Sequence, residues 1–117
     1  MGAFERCTNL TDIIIPASVN VIHARAFAKC SSLKSVAFEA NSQLKIIDGG
    51  YALNGYGTTD NGAFSSCSKL TSVTIPKSVT TIGVGAFRNT GLTSVYFEPG
   101  SNLQTIEGYW ESMLTTL

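Results

Sequence analysis

Residues 62–70 read Gly62-Ala63-Phe64-Ser65-Ser66-Cys67-Ser68-Lys69-Leu70, and this phrase decides the fold because it recurs along the chain. Its opening step, Ala-Phe preceded by Gly or Arg, occurs four times, and the phenylalanines lie 23 residues apart within two pairs, Phe4 with Phe27 and Phe64 with Phe87. A fixed period of about 20–30 residues is typical of solenoids, in which each repeat forms one coil and neighbouring coils share a core. The spacing therefore predicts a stack of about four coils.

Each copy of the phrase is followed by an alternation of apolar residues, which predicts a strand with one buried face. The alternating pairs are Ile13 and Ile15, Val36 and Phe38, Val73 and Ile75, and Val95 and Phe97. Two copies then turn through a short segment, residues 16–19 and 76–79, and two use a turn longer by two residues, 39–44 and 98–103. All four copies reach an isoleucine that closes the coil, at positions 22, 47, 82 and 106.

The string from Cys67 to Phe87 closely resembles the BspA-like leucine-rich repeat, also called the Treponema pallidum type. The resemblance covers nearly the whole chain except residues 48–61 and the tail after Ile106. It implies a repeat solenoid of right-handed parallel β coils with short helical turns at the Ala-Phe corners. Such repeats occur mainly in surface proteins of host-associated bacteria and of some protozoan parasites, where they serve adhesion or other protein binding. The resemblance therefore implies a cell-surface or secreted protein.

Composition fits one domain over residues 1–117 and excludes several functions. Eight basic and eight acidic side chains give a net charge of zero with no basic run, which argues against binding of nucleic acid. No apolar stretch approaches the ~20 residues of a membrane helix, so we expect no membrane insertion. The chain has no signal peptide and begins within a repeat. We therefore expect a fragment of a longer array.

The three cysteines, Cys7, Cys30 and Cys67, occupy one phase of the repeat, with Phe three residues before and Leu three residues after. This phase predicts free thiols in the core, and the fourth copy has Thr90 there. Coils stacked ~4.8 Å apart would also permit a Cys7–Cys30 disulfide. A zinc site is disfavoured because the cysteines are 23 and 37 residues apart and the chain has one histidine.

No set of residues predicts catalysis or a cofactor. His23 is alone at a coil corner, where we expect a solvated side chain. The serines fall in turns and on the outward side of strands, where local hydrogen bonding explains them. A nucleophile needs a base and an orienting group that converge on it, and no such set is visible. We expect no enzymatic activity.

Outward-facing side chains predict one candidate binding surface. If Val73 and Ile75 face the core, alternate residues face solvent and form two columns along the stack. One column is Asp12, Ser35, Ser72 and Ser94, and the other is Ile14, Ala37, Thr74 and Tyr96. Ile14, Thr74 and Tyr96 are the candidate binding residues. The alternative is a solvated sheet face with no ligand, since most of these side chains are small.

A break in the period predicts a second candidate surface. Phe27 and Phe64 are 37 residues apart, so about a dozen residues are inserted before Gly62, within residues 48–61. Insertions in a repeat map to one face and often bind partners. The candidate binding residues are Tyr51, Asn54, Tyr56, Thr58 and Asp60, because tyrosine among small polar residues is typical of paratopes. A loop without a ligand is the alternative.

The ends of the stack suggest a rival function. Residues 107–117 form either a cap or an atypical further coil, and the first coil carries no polar cap. An uncapped coil exposes apolar surface and a strand edge, which favours self-association. The sequence thus leaves two functions open. One is adhesion to a protein partner such as an extracellular-matrix or host surface protein, and the other is an inert spacer or self-assembling element.

Overall fold

The computed structural model describes residues 4–49, 62–83 and 85–106. Within these ranges the chain forms β strands joined by turns, and no helix is present. The strands are β1 (Asp12–Ile15), β2 (Val21–Ile22), β3 (Ser35–Phe38), β4 (Ile46–Ile47), β5 (Ser72–Ile75), β6 (Thr81–Ile82), β7 (Ser94–Phe97) and β8 (Thr105–Ile106). From Phe4 to Phe87 the chain makes three complete turns, and residues 87–106 add most of a fourth. We number the coils 1 to 4 from the phenylalanines that begin them.

Two sides of the coils are parallel β structure. The short strands β2, β4, β6 and β8 form one continuous sheet in chain order. The longer strands pair as β1 with β3 and as β5 with β7, and both pairs are parallel. The predicted parallel β solenoid is therefore confirmed.

The third side of each coil is the Ala-Phe corner, where the prediction of short helical turns is wrong. The N–H of Cys30 donates to the carbonyl oxygen of Phe27 at 3.2 Å, and the N–H of Leu33 donates to that of Cys30 at 3.1 Å. These are isolated turns, because the residue two after each phenylalanine has a left-handed backbone that a helix does not accept. Those residues are Arg6, Lys29, Ser66 and Asn89, with φ between 59° and 62°.

The corners are nevertheless joined from coil to coil. The N–H of Phe27 donates to the carbonyl oxygen of Ala63, and that of Lys29 donates to Ser65, both at 2.8 Å. Equivalent pairs join coil 1 to coil 2 and coil 3 to coil 4. The corner backbone is thus satisfied by its neighbours even though it forms neither helix nor sheet.

The core lies inside the stack and is organised around a column of phenylalanine rings. The centroids of Phe4, Phe27, Phe64 and Phe87 are separated in turn by 5.3, 5.1 and 5.2 Å, and the rings are parallel to within 5°. Phe27, Phe64 and Phe87 are at most 4% exposed, whereas Phe4, at the end of the column, is 43% exposed. The rings therefore fill the space between successive corners, as the repeat predicts.

Gly62 supplies a clear steric prediction at the corner that ends coil 2. A Cβ atom at this position would lie 2.6 Å from the carbonyl carbon of Gly85 and 2.8 Å from Cα of Ala86 in the next coil. Both are backbone atoms of the corner ladder, so they cannot move aside as a side chain would. We expect Gly62→Ala to lower the free energy of unfolding by roughly 1–3 kcal/mol, the cost of overpacking, measured by urea denaturation.

The matched control is Gly100→Asn in the long turn of coil 4. Gly100 has a φ of 82° and open space around its Cα, and the equivalent turn of coil 2 has Asn41 with a φ of 61°. Asparagine tolerates this conformation, so the control should change stability by less than about 0.5 kcal/mol. Equal effects of the two substitutions would contradict the close approach of the corners.

Candidate functional site

The strand face carries the two predicted columns of outward side chains. Pairing in register places Asp12 beside Ser35 and Ile14 beside Ala37, and likewise Ser72 beside Ser94 and Thr74 beside Tyr96. The alternate residues Ile15, Val36, Val73 and Ile75 are buried, as predicted. Ile14 is 67% exposed and Tyr96 is 59% exposed. The structure therefore brings Thr74 and Tyr96 together on one strand pair and leaves Ile14 on the other.

The chemistry of this face is modest. Its side chains are mostly small and uncharged, with Asp12 as the exception, and the Thr11 hydroxyl donates to the Asp12 carboxylate at 3.0 Å. Ile14 and Tyr96 supply the large contact groups, one at each end of the face. Such a surface can contact a flat protein partner.

The candidate loop residues Tyr51, Asn54, Tyr56, Thr58 and Asp60 lie outside the described residues, and their role stays a prediction. The point where the insertion joins the stack is described. In coils 1 and 3 the corner turn is closed by a bond from an alanine N–H to the carbonyl oxygen three residues earlier, Ala26 to His23 and Ala86 to Gly83, both at 3.1 Å. In coil 2 the same bond joins Ala63 to Asp48 at 3.0 Å.

The corner bond locates the insertion. In coils 1 and 3 the two bonded residues are three positions apart in the sequence. In coil 2 they are residues 48 and 63, which are fifteen positions apart, so the insertion is twelve residues long. The twelve extra residues therefore fall between two described residues whose corner hydrogen bond is intact. Asp48 and Ala63, which flank the insertion, are thus held together at one corner of the stack.

A third surface is the open end of coil 1. A groove of about 450 Å³ lies there, lined almost entirely by apolar side chains. Its lining includes Phe4, Ile13, Val19, Val21 and Ile22, which belong to the side of coil 1 opposite coil 2. In the described part of the chain coil 1 has a neighbouring coil on one side only, so this end presents core-type residues.

The cysteines are free thiols, as predicted, and the disulfide between Cys7 and Cys30 is not formed. The Cys30 thiol donates to the carbonyl oxygen of Phe4 at 2.9 Å, and that of Cys67 donates to Phe27 at 3.1 Å. Each thiol thus joins its coil to the preceding corner. Burial raises the pKa of the Cys30 thiol, and it raises the pKa of Cys67 to about 12. These thiols are structural and are poor nucleophiles at neutral pH.

No convergent reactive set is found in the ranges that the structure describes. There, no cluster of three His, Cys, Asp or Glu side chains could hold a metal ion. His23 is exposed, as predicted for a corner position. No helix in these ranges is long and apolar enough to cross a membrane.

Two glutamates have a role that the sequence analysis missed. The carboxylates of Glu39 and Glu98, each directly after a long strand, accept the N–H groups of Ala17 and Lys77 in the preceding coil, both at 2.8 Å. The sequence feature that could have indicated this role is that both long turns begin with glutamate. The fourth copy has threonine at the cysteine position, and its hydroxyl donates within its own coil, from Thr90 to the carbonyl oxygen of Phe87 at 2.9 Å.

Comparisons with known proteins agree with this architecture. The crystal structure of the pneumococcal vaccine antigen PcpA matches with a TM-score of 0.66 and 34% sequence identity over 79% of this chain. The match covers 20% of the PcpA chain, so the present sequence spans about a fifth of that protein. No curated protein matches the chain significantly. The model of the BspA-type leucine-rich repeat region matches six copies over residues 1–110, and the chain therefore belongs to the BspA-type leucine-rich repeat family.

Proposed function

We propose that the chain is a non-enzymatic protein-binding module of a cell-surface or secreted protein, and that it adheres to proteins of a host or of neighbouring cells. Leucine-rich repeats generally mediate protein interactions, and the similar structure belongs to a bacterial vaccine antigen. Cys30 and Cys67 are buried, and His23 is the one histidine of the chain, so neither type of residue suggests a catalytic set. What the molecule offers instead is an extended surface along a stack of coils.

The intact corner bond between Ala63 and Asp48 carries this proposal. A twelve-residue insertion is otherwise hard to explain in a chain that keeps its period elsewhere, because each coil must match its neighbours to bury its core. Since the stack does not need the insertion, its residues are free to serve binding. Tyr51 and Tyr56 supply contact area at low entropic cost, and the neighbouring glycines let the backbone adapt.

The test compares how two variants of this chain bind a partner protein that the unmodified chain captures. In the first, residues 49–62 are replaced by Val-Gly, the connection that residues 84–85 make in coil 3, so that the corner keeps its three-residue closure. In the second, Ser72→Lys and Thr74→Lys place two charges on the strand face. Purified extracellular-matrix proteins serve as the panel, and affinity is measured by surface plasmon resonance.

We expect the loop replacement to weaken binding by at least about tenfold, the effect of losing one aromatic anchor or more. The two lysines should weaken it by less than about threefold, since they lie outside the main contact. Normal binding by the loop variant together with loss of binding by the lysine variant would assign the site to the strand face instead.

The apolar groove at the end of coil 1 favours a second candidate function, assembly of the chain with copies of itself. Val19 lines this groove and is half-buried, whereas its neighbour Ser18 is exposed. If the end docks onto a second copy, sedimentation should show association that rises with concentration, and Val19→Lys should abolish it while Ser18→Lys leaves it unchanged. A wild-type chain that stays monomeric at all concentrations would dismiss this candidate.

A further inference from the structure

The strand face is divided in the middle of the stack. β3 of coil 2 and β5 of coil 3 are neighbours, yet they belong to separate two-stranded sheets. On the opposite side β4 and β6 of the same coils are paired in a continuous sheet. In the described ranges no hydrogen bond joins residues 34–43 to residues 71–77. We call this unbonded line between β3 and β5 the seam.

The backbone groups that face the seam follow from the bonds on either side of it. Ser35 and Glu39 donate their N–H groups to Thr11 and Ile15 of coil 1. The backbone N–H groups of the alternate residues Val36 and Phe38 therefore point toward coil 3. Thr93 and Glu98 donate to Thr71 and Ile75, which leaves the N–H groups of Ser72 and Thr74 pointing toward coil 2. The next residue whose backbone faces coil 2 is Pro76, which has no N–H to donate.

Within each half of the stack, by contrast, the long side is clamped. Glu39 accepts from Ala17, and the N–H of Gln43 donates to the carbonyl oxygen of Ala17 at 2.9 Å. Glu98 and Asn102 repeat both bonds with Lys77, at 2.8 and 2.9 Å. Each clamp joins a short-turn coil to the long-turn coil that follows it. Coils 1 and 2 therefore form one doublet, and coils 3 and 4 form a second doublet of the same design.

At the junction between coils 2 and 3, the other two sides of the stack remain joined by hydrogen bonds. The corner ladder joins Phe27 to Ala63, and the Phe27 and Phe64 rings are 5.1 Å apart. On the short-strand side, the N–H of Gly83 donates to the carbonyl oxygen of Ile47 at 2.8 Å, and the Ser78 hydroxyl donates to that of Leu44 at 2.6 Å. The doublets are thus fastened along two sides and open along the third.

We propose that the junction between coils 2 and 3 is a hinge, about which two rigid doublets open and close the strand face at the seam. At the seam the two doublets share the buried apolar core, to which Val36 and Val73 belong, and opening requires no backbone hydrogen bond between β3 and β5 to break. Elsewhere in the stack the same motion would break a strand ladder. The hinge therefore sets the distance between Ile14 on one doublet and Tyr96 on the other, and a partner that touches both would select one angle.

The test measures two distances, both of which join coil 1 to coil 4. Spin labels at Ile14→Cys and Tyr96→Cys lie on the divided strand face, whereas labels at Asn20→Cys and Gln104→Cys lie beside the continuous sheet. Asn20 and Gln104 are exposed and belong to one column that is joined by backbone bonds through Lys45 and Thr80. Both pairs are placed in a Cys7→Thr background, since Thr90 already occupies that position in coil 4 and Cys30 and Cys67 are buried.

We expect the Ile14–Tyr96 distance distribution to be at least about twice as wide as the Asn20–Gln104 distribution, because only the first pair spans the opening side of the hinge. Amide exchange gives a second readout in the unmodified chain. The N–H groups of Ser72 and Thr74 should exchange at least about tenfold faster than that of Tyr96, which faces the partner strand. Equal widths of the two distributions would overturn the hinge, whatever the exchange rates.

Discussion

Phe64→Ala should lower the free energy of unfolding by roughly 3–5 kcal/mol, the usual cost of removing a buried phenylalanine. Phe64 is fully buried, and its ring stacks on both neighbours, with centroids 5.1 Å from Phe27 and 5.2 Å from Phe87. Truncation therefore empties the centre of the column and removes two aromatic contacts. Thermal denaturation should show a fall in Tm of more than about 10 °C.

The matched control is Phe4→Ala at the end of the same column. Phe4 stacks on Phe27 alone and is 43% exposed, so its truncation removes one ring contact and much less buried area. We expect it to cost less than about 2 kcal/mol. An unchanged Tm for Phe64→Ala, or equal costs at the two positions, would refute the stacked register of the coils.

The second large effect is a loss of stability at alkaline pH that arises from Cys67. Burial, with a smaller contribution from the charge of a Cys30 thiolate, raises the pKa of this thiol from about 9 in the unfolded chain to about 12 in the folded one. The neutral thiol is thus favoured by the fold. Its contribution to stability is fully present below about pH 9 and is lost as the pH rises toward about 12, because only the unfolded state ionises in this window.

The expected slope from Cys67 is about 1.4 kcal/mol of unfolding free energy per pH unit above pH 9. Urea denaturation at pH 8.5 and at pH 10.5 measures it, with Cys67→Ser as the control, because the serine hydroxyl can still donate to Phe27 but does not ionise. The wild type should lose more stability than this variant. Parallel losses would show that other groups, rather than Cys67, govern the alkaline behaviour.

The period alone predicted the features of the fold that repeat from coil to coil. Phe27, Cys30 and Leu33 fall in the same positions of the repeat as Phe64, Cys67 and Leu70, and stacking buries both sets in the same way. Alternation along each strand likewise predicted that Thr74 and Tyr96 face outward. These features were predictable because every coil must bury the same positions against its neighbours, so the four copies of the repeat show the same pattern.

Features that depend on backbone conformation were not predictable from residue type. The left-handed corner position is occupied by Arg6, Lys29, Ser66 and Asn89, and none of these is glycine, so the sequence carried no signal against a helical turn there. The carboxylate bond of Glu39 depends on how a long turn overlaps a short one, which is a relation between coils rather than within one. The seam arises in the same way, where a long-turn coil precedes a short-turn coil.

The candidate site was predictable only in part. Ile14, Thr74 and Tyr96 could be placed on the strand face from alternation, but their division between two strand pairs could not, since both halves of the stack have the same pattern. Tyr51 and Tyr56 were singled out by the break in the period. The structure adds the corner bond between Asp48 and Ala63, the two described residues that flank the insertion.

The most direct test of the account is a capture experiment in which the oligomeric state of the bound species is measured. The purified chain is sedimented over a wide range of concentrations and is presented in parallel to immobilised extracellular-matrix proteins. We predict that a monomer is captured selectively by one or a few of them and that the loop replacement abolishes capture. Association that rises with concentration, without capture by any of the panel, would contradict the proposal that this repeat domain is a protein-binding module.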